Sequence, residues 1–582
     1  MALAMSHNQP GSPVTPMKMH LTILLFFLGY LAAPVTPANV VLIITDDQDS
    51  TLDGMTPMVN TLNLIGSRGA TFTNCFVASP ICCPNRASIL TGRYQHNHLT
   101  VNNSIAGGCS SAKWQKFQEP ATFATLLQIA GYRTFYAGKY LNEYGNRKVG
   151  GAAHVPMGWD WWAGLIGNSK YYNYSLSING TEAKYGNSTS DYLTDVINNL
   201  AVNFINGHSD DQPFLMVLAP PAPHAPFTPA DRHNDKYNGT KAKRTPNFNV
   251  PVHQDKHWLV RKGPTPLPNS VLPKLDEIYR KRWETLLAVD ELVKNVHDLL
   301  KERNLLNDTY FIYTSDNGYH IGQFSMPMDK RQPYETDIRV PLLISGPGIN
   351  PSTISAGVSS VDIFATLLDI AGIEYPSDGM TLFQATRNAP QDRIVLIEYR
   401  GERSKKIPSS GCPSDSDLNV TLCMKEMACK CQDAANNTFS CIRRVSITPP
   451  NNSPKFNNIF CIFEDNQKFI ESYDINVDEY QMTNIGYTMK KGLRHRFRKR
   501  LKRMAMCRNV ECLFGTNLRS KFNINRGNKS AESCLISNYC IYGNRRRRIR
   551  RESGYKNNSP CSKEEGSIPS LRRNCFLNKY FY

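Results

Sequence analysis

The chain has 582 residues, of which 41% are hydrophobic and 10% aromatic, and its formal net charge is +18. This length exceeds what one hydrophobic core usually supports, so we expect at least two domains, and the composition excludes a fully disordered chain. The excess charge is local, because from Met489 onward 25 Lys and Arg residues stand against 5 Asp and Glu residues. The preceding body is nearly neutral, so the net charge says nothing about its chemistry.

The N-terminus carries a candidate secretory signal. Lys18 precedes an apolar run at residues 21–33, which is short for a membrane span and ends in small residues. We predict a leader with a signal peptide at residues 1–38, with an uncleaved anchor as the alternative, and no stable membrane span elsewhere. Secretion favours disulfides among the 16 cysteines. Several Asn-x-Ser/Thr acceptor sites favour a glycoprotein.

Strand and helix patterns then alternate along the chain. Continuous apolar runs predict strands that are buried on both faces, and amphipathic patterns between them predict helices. The predicted strands are 39–45, 132–137, 214–219, 310–314 and 340–344, and the predicted helices follow Pro120, surround residues 283–300 and cover 363–371. This alternation predicts an α/β fold with a mainly parallel sheet and helices on both sides.

Acidic residues follow two of the predicted strands. Asp46 and Asp47 come directly after the first strand, and Asp316 and Asn317 follow the strand at 310–314. In open α/β sheets, ligands gather at the carboxyl ends of strands. Three carboxylates and an amide oxygen would suit calcium or magnesium rather than zinc. The alternative is that the Asp46–Asp47 pair merely caps a loop.

Residues 82–93 read Cys-Cys-Pro-Asn-Arg-Ala-Ser-Ile-Leu-Thr-Gly-Arg. Because proline lacks a backbone donor and breaks helices, we expect no helix to run through Pro84. Taken alone, Cys82 is a structural thiol or one half of a disulfide, and this stays the alternative to the nucleophile role that the resemblance described below implies.

Beyond residue 377 the pattern changes to short strands and Cys-rich turns. We predict a catalytic α/β domain at 39–377, a smaller antiparallel and disulfide-tied domain at 378–512, and a basic, disordered tail at 513–582. Zinc binding by Cys429 and Cys431 is an alternative to disulfides, although their spacing fits no usual zinc pattern. The basic run at 545–551 is open to three interpretations: a glycan-binding segment, a processing site or an error in the gene model.

The stretch at 82–93 resembles the sulfatase signature through Cys82, Pro84, Arg86 and the Leu-Thr-Gly that follows, although the family more often has Ser where Asn85 stands. The resemblance implies an alkaline phosphatase/sulfatase-like fold, with a large mainly parallel sheet sandwiched by helices and a smaller antiparallel sheet at the C-terminus. It also implies that a formylglycine-generating enzyme converts Cys82 to formylglycine, whose hydrated aldehyde attacks sulfur.

The same resemblance implies a set of site residues and one calcium ion per site. The implied metal ligands are Asp46, Asp47, Cys82, Asp316 and Asn317. The implied catalytic residues are Cys82, Arg86, Lys139, His224 and Lys330. In this reading Arg86 and Lys139 steady the nucleophile and the sulfate, whereas His224 and Lys330 flank the leaving-group oxygen.

Two further positions are predicted to contact the substrate. Many sulfatases have a His soon after the first catalytic Lys, where this chain has Asn142, which cannot titrate. The identity of the proton donor is therefore open. The second candidate is His320, close after Asn317 in the chain.

Longer segments resemble a narrower branch of the family, which contains the N-acetylglucosamine-6-sulfatases. These segments are residues 139–145, 170–175, 256–259, 280–283 and 316–324. The resemblance implies hydrolysis of the 6-sulfate of N-acetylglucosamine 6-sulfate units at chain ends of heparan or keratan sulfate. It implies a lysosomal location reached through the secretory pathway, with secretion from the cell as the alternative.

Two other functions stay open. Extracellular heparan 6-O-endosulfatases belong to the same branch and act inside chains, but they carry a long basic mid-chain insertion that this sequence lacks. A heparin-binding protein with an inactive enzyme body would use the basic tail, although the complete set of site residues argues against it. In every case we expect a sulfated glycosaminoglycan as partner and no nucleic acid.

Overall fold

The computed structural model of the chain describes residues 38–209, 211–387, 391–402, 427–428, 432–448 and 454–514. The predicted signal peptide, the Cys429 and Cys431 pair, and the basic run at 545–551 lie outside these residues. Among the helices of the described residues, none combines the length and the apolar character needed to cross a membrane.

Ten strands form one large sheet. They are β1 (Asn39–Thr45), β2 (Ala70–Phe76), β3 (Arg133–Gly138), β4 (Trp161–Leu165), β5 (Ser175–Ile178), β6 (Thr181–Lys184), β7 (Phe214–Ala219), β8 (Thr309–Ser315), β9 (Arg339–Ser345) and β10 (Ser352–Ser359). From one edge to the other their order is β10-β2-β9-β8-β1-β7-β3-β4-β5-β6. The five strands that the sequence predicted are all present, each within one residue at either end.

The centre of the large sheet is parallel. β8, β1, β7, β3 and β4 lie side by side, and each pairing among them is parallel. Their carboxyl ends therefore meet at one edge, which we call the carboxyl edge. This is where an open α/β sheet gathers its ligands.

The outer strands make the sheet mixed. β9 pairs antiparallel with β8 and with β2, and the pairings of β4 with β5 and of β5 with β6 are also antiparallel. The mainly parallel arrangement predicted from the pattern therefore applies to the central strands. An apolar run reveals that a strand is covered on both faces, but it does not reveal the direction of the strand.

Helices cover both faces of this sheet, and the last two helices of the described residues lie beside the smaller sheet described below. The helices are α1 (Val59–Thr61), which continues as a π-helix at Leu62–Gly66, α2 (Cys82–Thr91), α3 (Gln95–His98), α4 (Ala112–Phe117), α5 (Phe123–Ile129), α6 (Leu193–Asn206), α7 (Trp258–Arg261), α8 (Leu272–Glu302), α9 (Glu335–Ile338), α10 (Val361–Ile370), α11 (Leu382–Ala385), α12 (Lys491–Met504) and α13 (Glu511–Phe514). The predicted helices correspond to α5, α8 and α10.

The alternation of side chains in β1 shows the layers directly. Val40, Leu42 and Ile44 belong to one hydrophobic core, which also takes side chains of α2, α5 and α10. Val41 and Ile43 belong to a second core, with side chains of α6 and α8. Because successive strand residues face opposite sides, β1 is buried by helices on both faces, as the sequence predicted.

The helix α2 contains Pro84, so the expectation that no helix runs through this residue was wrong. Pro84 is the third residue of α2, and the first N–H groups of a helix have no acceptor within it. The missing donor therefore leaves no helical hydrogen bond unmade. Gly92 ends the helix with a φ of 63°, and a Cβ there would lie 2.5 Å from Phe364 Cδ1, so both conformation and space require glycine.

A smaller sheet follows the large one. Its strands are β11 (Gln391–Tyr399), β12 (Phe439–Ile447), β13 (Pro454–Phe463) and β14 (Ile470–Asp474), antiparallel and in chain order. A disulfide joins Cys441 and Cys461, which are paired residues of β12 and β13, and another joins Cys507 and Cys512. These features confirm the predicted antiparallel, disulfide-tied C-terminal sheet.

The small sheet separates two hydrophobic cores. In β11, Val395 and Ile397 belong to the core that it shares with the large sheet, whereas Ile394 and Leu396 belong to a third core with Leu501 of α12. All described residues belong to one compact unit. The predicted domain boundary at residues 377 and 378 therefore stays a prediction.

Candidate active site

The end of β1 supplies two acidic side chains. Asp46 and Asp47 follow Thr45 directly and are at most 1% exposed. Asp47 has a φ of 70°, a left-handed conformation that Asp tolerates better than most residues, and its amide donates to Asp316 Oδ1 at 3.0 Å. Oδ1 of Asp46 and Oδ1 of Asp47 lie 3.6 and 3.9 Å from Cys82 Sγ. Both carboxylates therefore face the same sulfur atom.

The end of β8 brings two further residues to the carboxyl edge. The Asp316 carboxylate accepts a hydrogen bond from Arg86 Nε at 2.7 Å. Asn317 Nδ2 donates to Asp47 Oδ1 at 2.7 Å, whereas its buried Oδ1 has no hydrogen-bond partner among the described residues. Because β1 and β8 are parallel neighbours, residues 270 positions apart in the chain lie side by side.

Cys82 is the first residue of α2 and a fully buried free thiol. Its neighbour Cys83 forms a disulfide with Cys109. The disulfide interpretation of the adjacent pair therefore applies to Cys83 and not to Cys82. Burial raises the pKa of the Cys82 thiol, although Lys139 and Lys330 oppose this rise.

Two buried lysines contact the first acidic pair. Lys139 follows β3 and places Nζ 2.7 Å from Asp46 Oδ2, and Lys330 places Nζ 2.6 Å from Asp47 Oδ2. Burial opposes ionisation of the carboxylates, but the surrounding cations hold the pKa of Asp46 well below its usual range and lower that of Asp47. Each of these charges depends on its partner, since an unpaired charge would be expensive at such depth.

Arg86 is a third buried cation and joins three segments. Its Nε contacts Asp316, and its Nη1 donates to the backbone carbonyl of Lys139 at 2.8 Å. Burial and the charge of Asp46 raise the pKa of Asp316 above its usual range, although Arg86 opposes them. The direction of this shift indicates that burial, together with the neighbouring carboxylate, outweighs the effect of the cations around Asp316.

His224 reaches the same cluster from the loop after β7. Its Nε2 lies 3.8 Å from Asp47 Oδ2, and its Nδ1 lies 2.7 Å from the carbonyl oxygen of Ala225. Because a carbonyl only accepts hydrogen bonds, Nδ1 carries a proton and Nε2 is the nitrogen that faces the acids. Burial lowers the pKa of His224. Tyr171 steadies the loop by donating to the His224 carbonyl at 2.8 Å.

The two predicted substrate contacts lie apart from this network. Asn142 is buried, and its Nδ2 donates to Asn168 Oδ1 at 3.2 Å. His320 is fully buried, with Nδ1 2.9 Å from Asp337 and Nε2 3.0 Å from Gln432. Within the described residues, no hydrogen bond or ion pair joins Asn142 or His320 to the acidic cluster, and their substrate contacts stay predictions.

Three residues of the site were missed from the sequence. Ser169 donates a short hydrogen bond to Asp46 Oδ2. Asn85 Nδ2 donates to the Asp316 carbonyl at 2.6 Å. Arg282 Nη2 donates to the Asp47 carbonyl at 2.8 Å. A loop Ser and a helical Asn give no signal in one sequence.

Arg282 did leave a signal. It stands at the spacing of the buried residues Tyr279, Leu286 and Val289 on α8, which is the apolar stripe of that helix. A charged residue in such a stripe needs a buried partner, and Arg282 finds one in Asp49, 3.0 Å from its Nη2.

The donor set of this edge could hold a metal ion. One ligand atom each from Asp46, Asp47, Cys82 and His224 lie within 4.8 Å of one another. The orphaned Oδ1 of Asn317 is a further oxygen at the same edge. Carboxylate and amide oxygens suit a hard divalent cation.

The fold and this site define an α/β enzyme whose acids, cations and candidate nucleophile meet at the carboxyl edge of a mixed sheet. A sequence model of the family described as Sulfatase matches residues 38–373. The chain is also 45% identical to the human N-acetylglucosamine-6-sulfatase over 525 residues. This match covers 88% of this chain and 93% of the human protein. The chain therefore belongs to the sulfatase family and is a sulfuric ester hydrolase.

Other relatives and solved structures agree with this assignment. The N-acetylglucosamine-6-sulfatase of Capra hircus is 46% identical, over 81% of this chain and 84% of its own length. A putative extracellular sulfatase Sulf-1 homologue of Caenorhabditis elegans is 40% identical, over 61% of this chain and 51% of its own length. A solved structure in complex with its substrate D-glucosamine-2-N,6-O-disulfate has a TM-score of 0.61 at 23% identity, covering 81% of this chain and 97% of its own. At 23% identity, the similarity to this solved structure supports the fold alone.

Proposed function

We propose that the protein hydrolyses the 6-sulfate ester of N-acetylglucosamine 6-sulfate units in heparan or keratan sulfate, acting at chain ends. The observation that carries the proposal is Cys82, a buried free thiol at the start of α2 that faces Asp46 and Asp47. The similarity to N-acetylglucosamine-6-sulfatases over most of both chains supports the choice of sugar.

The proposal includes a formylglycine at position 82 and one calcium ion. The ion would be held by Asp46, Asp47, Asp316, Asn317 and the converted side chain. The unpartnered Oδ1 of Asn317 and the burial of Asp316 beside a second carboxylate, which raises the pKa of Asp316, support a cation there. When bound, calcium supplies fixed positive charge beside the sulfate, and hydrated formylglycine supplies the oxygen that attacks sulfur.

The remaining steps fall to side chains of the chain itself. Lys139, Lys330 and Arg86 would offset the negative charge of the sulfate and the charge that develops as the S–O bond breaks. His224 would face the leaving-group oxygen through Nε2, the nitrogen not engaged by Ala225. The departing sugar oxygen requires a proton, and since Asn142 cannot supply one, His224 and Lys330 are the candidates.

The test uses the full-length protein and two matched variants. Cys82 and Cys75 are the buried free thiols among the described residues, so Cys75→Ala is the control for Cys82→Ala. We expect sulfate release from N-acetylglucosamine 6-sulfate by the wild type and by Cys75→Ala, and none by Cys82→Ala. Mass spectrometry of the peptide with residue 82 should find the aldehyde. A retained thiol without activity would refute the proposal in favour of an inactive heparin-binding protein.

A second candidate is an endosulfatase, which the 40% identity to the Sulf-1 homologue supports. This chain spans 51% of the length of that protein, against 93% for the human N-acetylglucosamine-6-sulfatase. A terminally 6-sulfated disaccharide and an internally sulfated oligosaccharide separate the two functions. Sulfate release from the internal unit alone would establish the endosulfatase.

The cellular setting is part of the same proposal. We propose maturation by a formylglycine-generating enzyme, transport through the secretory pathway and residence in lysosomes. The apolar run at residues 21–33 supports secretory entry. Immunolocalisation of the expressed full-length protein against lysosomal markers tests this point, and accumulation in the medium alone would support the secreted alternative.

A further inference from the structure

The helix α12 concentrates basic side chains on the outer side of the small sheet. Its 14 residues include eight Lys or Arg and no Asp or Glu. Leu501 and Met504 are buried, and the ring of Phe497 stacks on Phe460 of β13 at 5.3 Å. The apolar stripe of α12 is thus occupied by the sheet, which fixes the opposite side of the helix towards solvent.

The solvent side of α12 is a row of cations. Arg496, Lys499 and Arg503 are exposed, and their spacing of three and four residues places them on one side of the helix. The seven-residue step from Arg496 to Arg503 extends about 10 Å along the helix axis, which is more than a single ion pair spans. We call Arg496, Lys499 and Arg503 the basic row.

The basic row has no acidic partner within the described part of the protein. No Lys or Arg of α12 forms an ion pair with a described acidic side chain, and the nearby Asp392 is taken by Arg444 at 2.7 Å. Partial burial and the neighbouring Arg444 lower the pKa of Arg500, which indicates crowding of like charges. Like charges three and four residues apart destabilise a helix, so the row opposes folding unless an anion contacts it.

We propose that the basic row is an exosite that binds a sulfated glycosaminoglycan chain at a distance from its reacting end. This inference rests on the proposed function, because that function makes the substrate a polyanion longer than the unit cleaved. A chain held at the row raises the effective concentration of its end at the carboxyl edge. The row thus favours long sulfated chains over short ones without contacting the reacting ester.

The test compares a triple variant of the full-length protein with a matched control. Arg496→Gln, Lys499→Gln and Arg503→Gln remove the row, and Gln preserves helix propensity. Lys113→Gln, Lys116→Gln and Lys184→Gln remove three exposed charges elsewhere. A fluorescent heparin oligosaccharide is titrated at physiological salt. We expect about tenfold weaker binding for the row variant, from three modest ion pairs, and little change for the control. Equal binding by both variants overturns the exosite.

Turnover identifies the occupant. With N-acetylglucosamine 6-sulfate as substrate, the row variant should retain the wild-type kcat/KM. With a long heparan chain that ends in the same unit, its KM should rise about tenfold, in step with the binding loss. An unchanged KM for the long chain, together with lost binding to phosphatidylserine vesicles, would assign the row to a lipid surface and overturn the glycan proposal. The heparin titration measures binding and does not require catalysis. If the wild-type protein fails to cleave the monosaccharide, that result contradicts the proposed function and leaves the binding test of the exosite intact.

Discussion

The carboxyl edge and α12 both concentrate charge, but they do so in opposite ways. At the carboxyl edge, Asp46, Asp47 and Asp316 are buried and each contacts a basic side chain at 2.6–2.7 Å. On α12 the basic row is exposed and forms no ion pair with a described acid. Buried charges depend on every neighbour, whereas exposed charges are screened by water and salt. Single substitutions should therefore be severe at the edge and mild on the helix.

Lys139→Met removes one buried cation and should give the largest effect. Asp46 loses the partner that lies 2.7 Å away, so stability should fall by about 3–5 kcal/mol. Activity should fall on the order of 100- to 1,000-fold, because a fixed charge beside the reacting group is lost. Sulfate release and urea unfolding measure the two effects. Lys113→Met, at an exposed position, is the control. Equal losses of activity and stability in the two variants would contradict the expected difference between buried and exposed charges.

Chelation by EGTA tests the calcium ion proposed at the carboxyl edge. Removal of a bound ion should abolish activity and lower the unfolding temperature. Ligand at 100 times its dissociation constant stabilises a fold by about 2.7 kcal/mol. Added calcium should restore both activity and stability. Elemental analysis verifies that the metal has been removed. Full activity after exhaustive chelation would indicate that the basic side chains of Arg86, Lys139 and Lys330 balance the buried carboxylates without a metal ion.

Arg282→Lys keeps the charge but removes the fork that holds the site together. Lys cannot reproduce both the contact of Nη1 to the Pro223 carbonyl and those of Nη2 to the Asp47 carbonyl and Asp49, so we expect about a tenfold lower kcat with little change in KM. Arg280→Lys, a half-buried neighbour on α8, is the control. A change in stability without a change in kcat would reduce Arg282 to a structural role.

The smallest effect concerns pH and a contact between α3 and the C-terminal loop. His96 Nδ1 lies 2.8 Å from Glu398 Oε2, and Nε2 lies 2.9 Å from the Cys507 carbonyl. Both partners only accept hydrogen bonds, so both are satisfied only by the protonated ring. Burial lowers the pKa of His96, but Glu398 and Cys507 raise it above its usual value overall.

A raised folded-state pKa stabilises the fold at low pH. The contribution of His96 should be complete below its unfolded pKa of about 6.5 and vanish as the pH rises through the folded value. His96→Gln should therefore reduce the free energy of unfolding by about 1.5 kcal/mol at pH 5.5 and much less at pH 8.5. Exposed His253→Gln is the control, and an effect of His96→Gln that is independent of pH would contradict this account.

Much of the fold could be predicted because burial on both faces leaves a strong pattern. β1 and β7 are unbroken apolar runs, and their bounds followed from composition alone. The direction of β9 did not, because an apolar run looks the same in either direction. The helix that contains Pro84 was not predicted, because proline was taken to break any helix. In the first turn it is tolerated, since its missing N–H would have no helical acceptor there.

The site could be predicted only where chemistry leaves residues of a distinctive type. Acids directly after strands mark a shared edge, and this pattern alone predicts that Asp46 and Asp316 lie together. Ser169 could not be found, because its importance lies in a contact made by folding. Arg282 could have been found, since a cation in an apolar stripe requires a buried acid.

The complete burial of Cys82 sets an order of events in the cell. No enzyme can reach this sulfur once β1, β8 and α2 have closed around it. The proposed conversion of the thiol would therefore have to precede folding, and a chain that folded first would keep the thiol and, under the proposed mechanism, release no sulfate. Under the same proposal the yield of active enzyme depends on whether conversion is faster than folding, so slower folding would favour maturation.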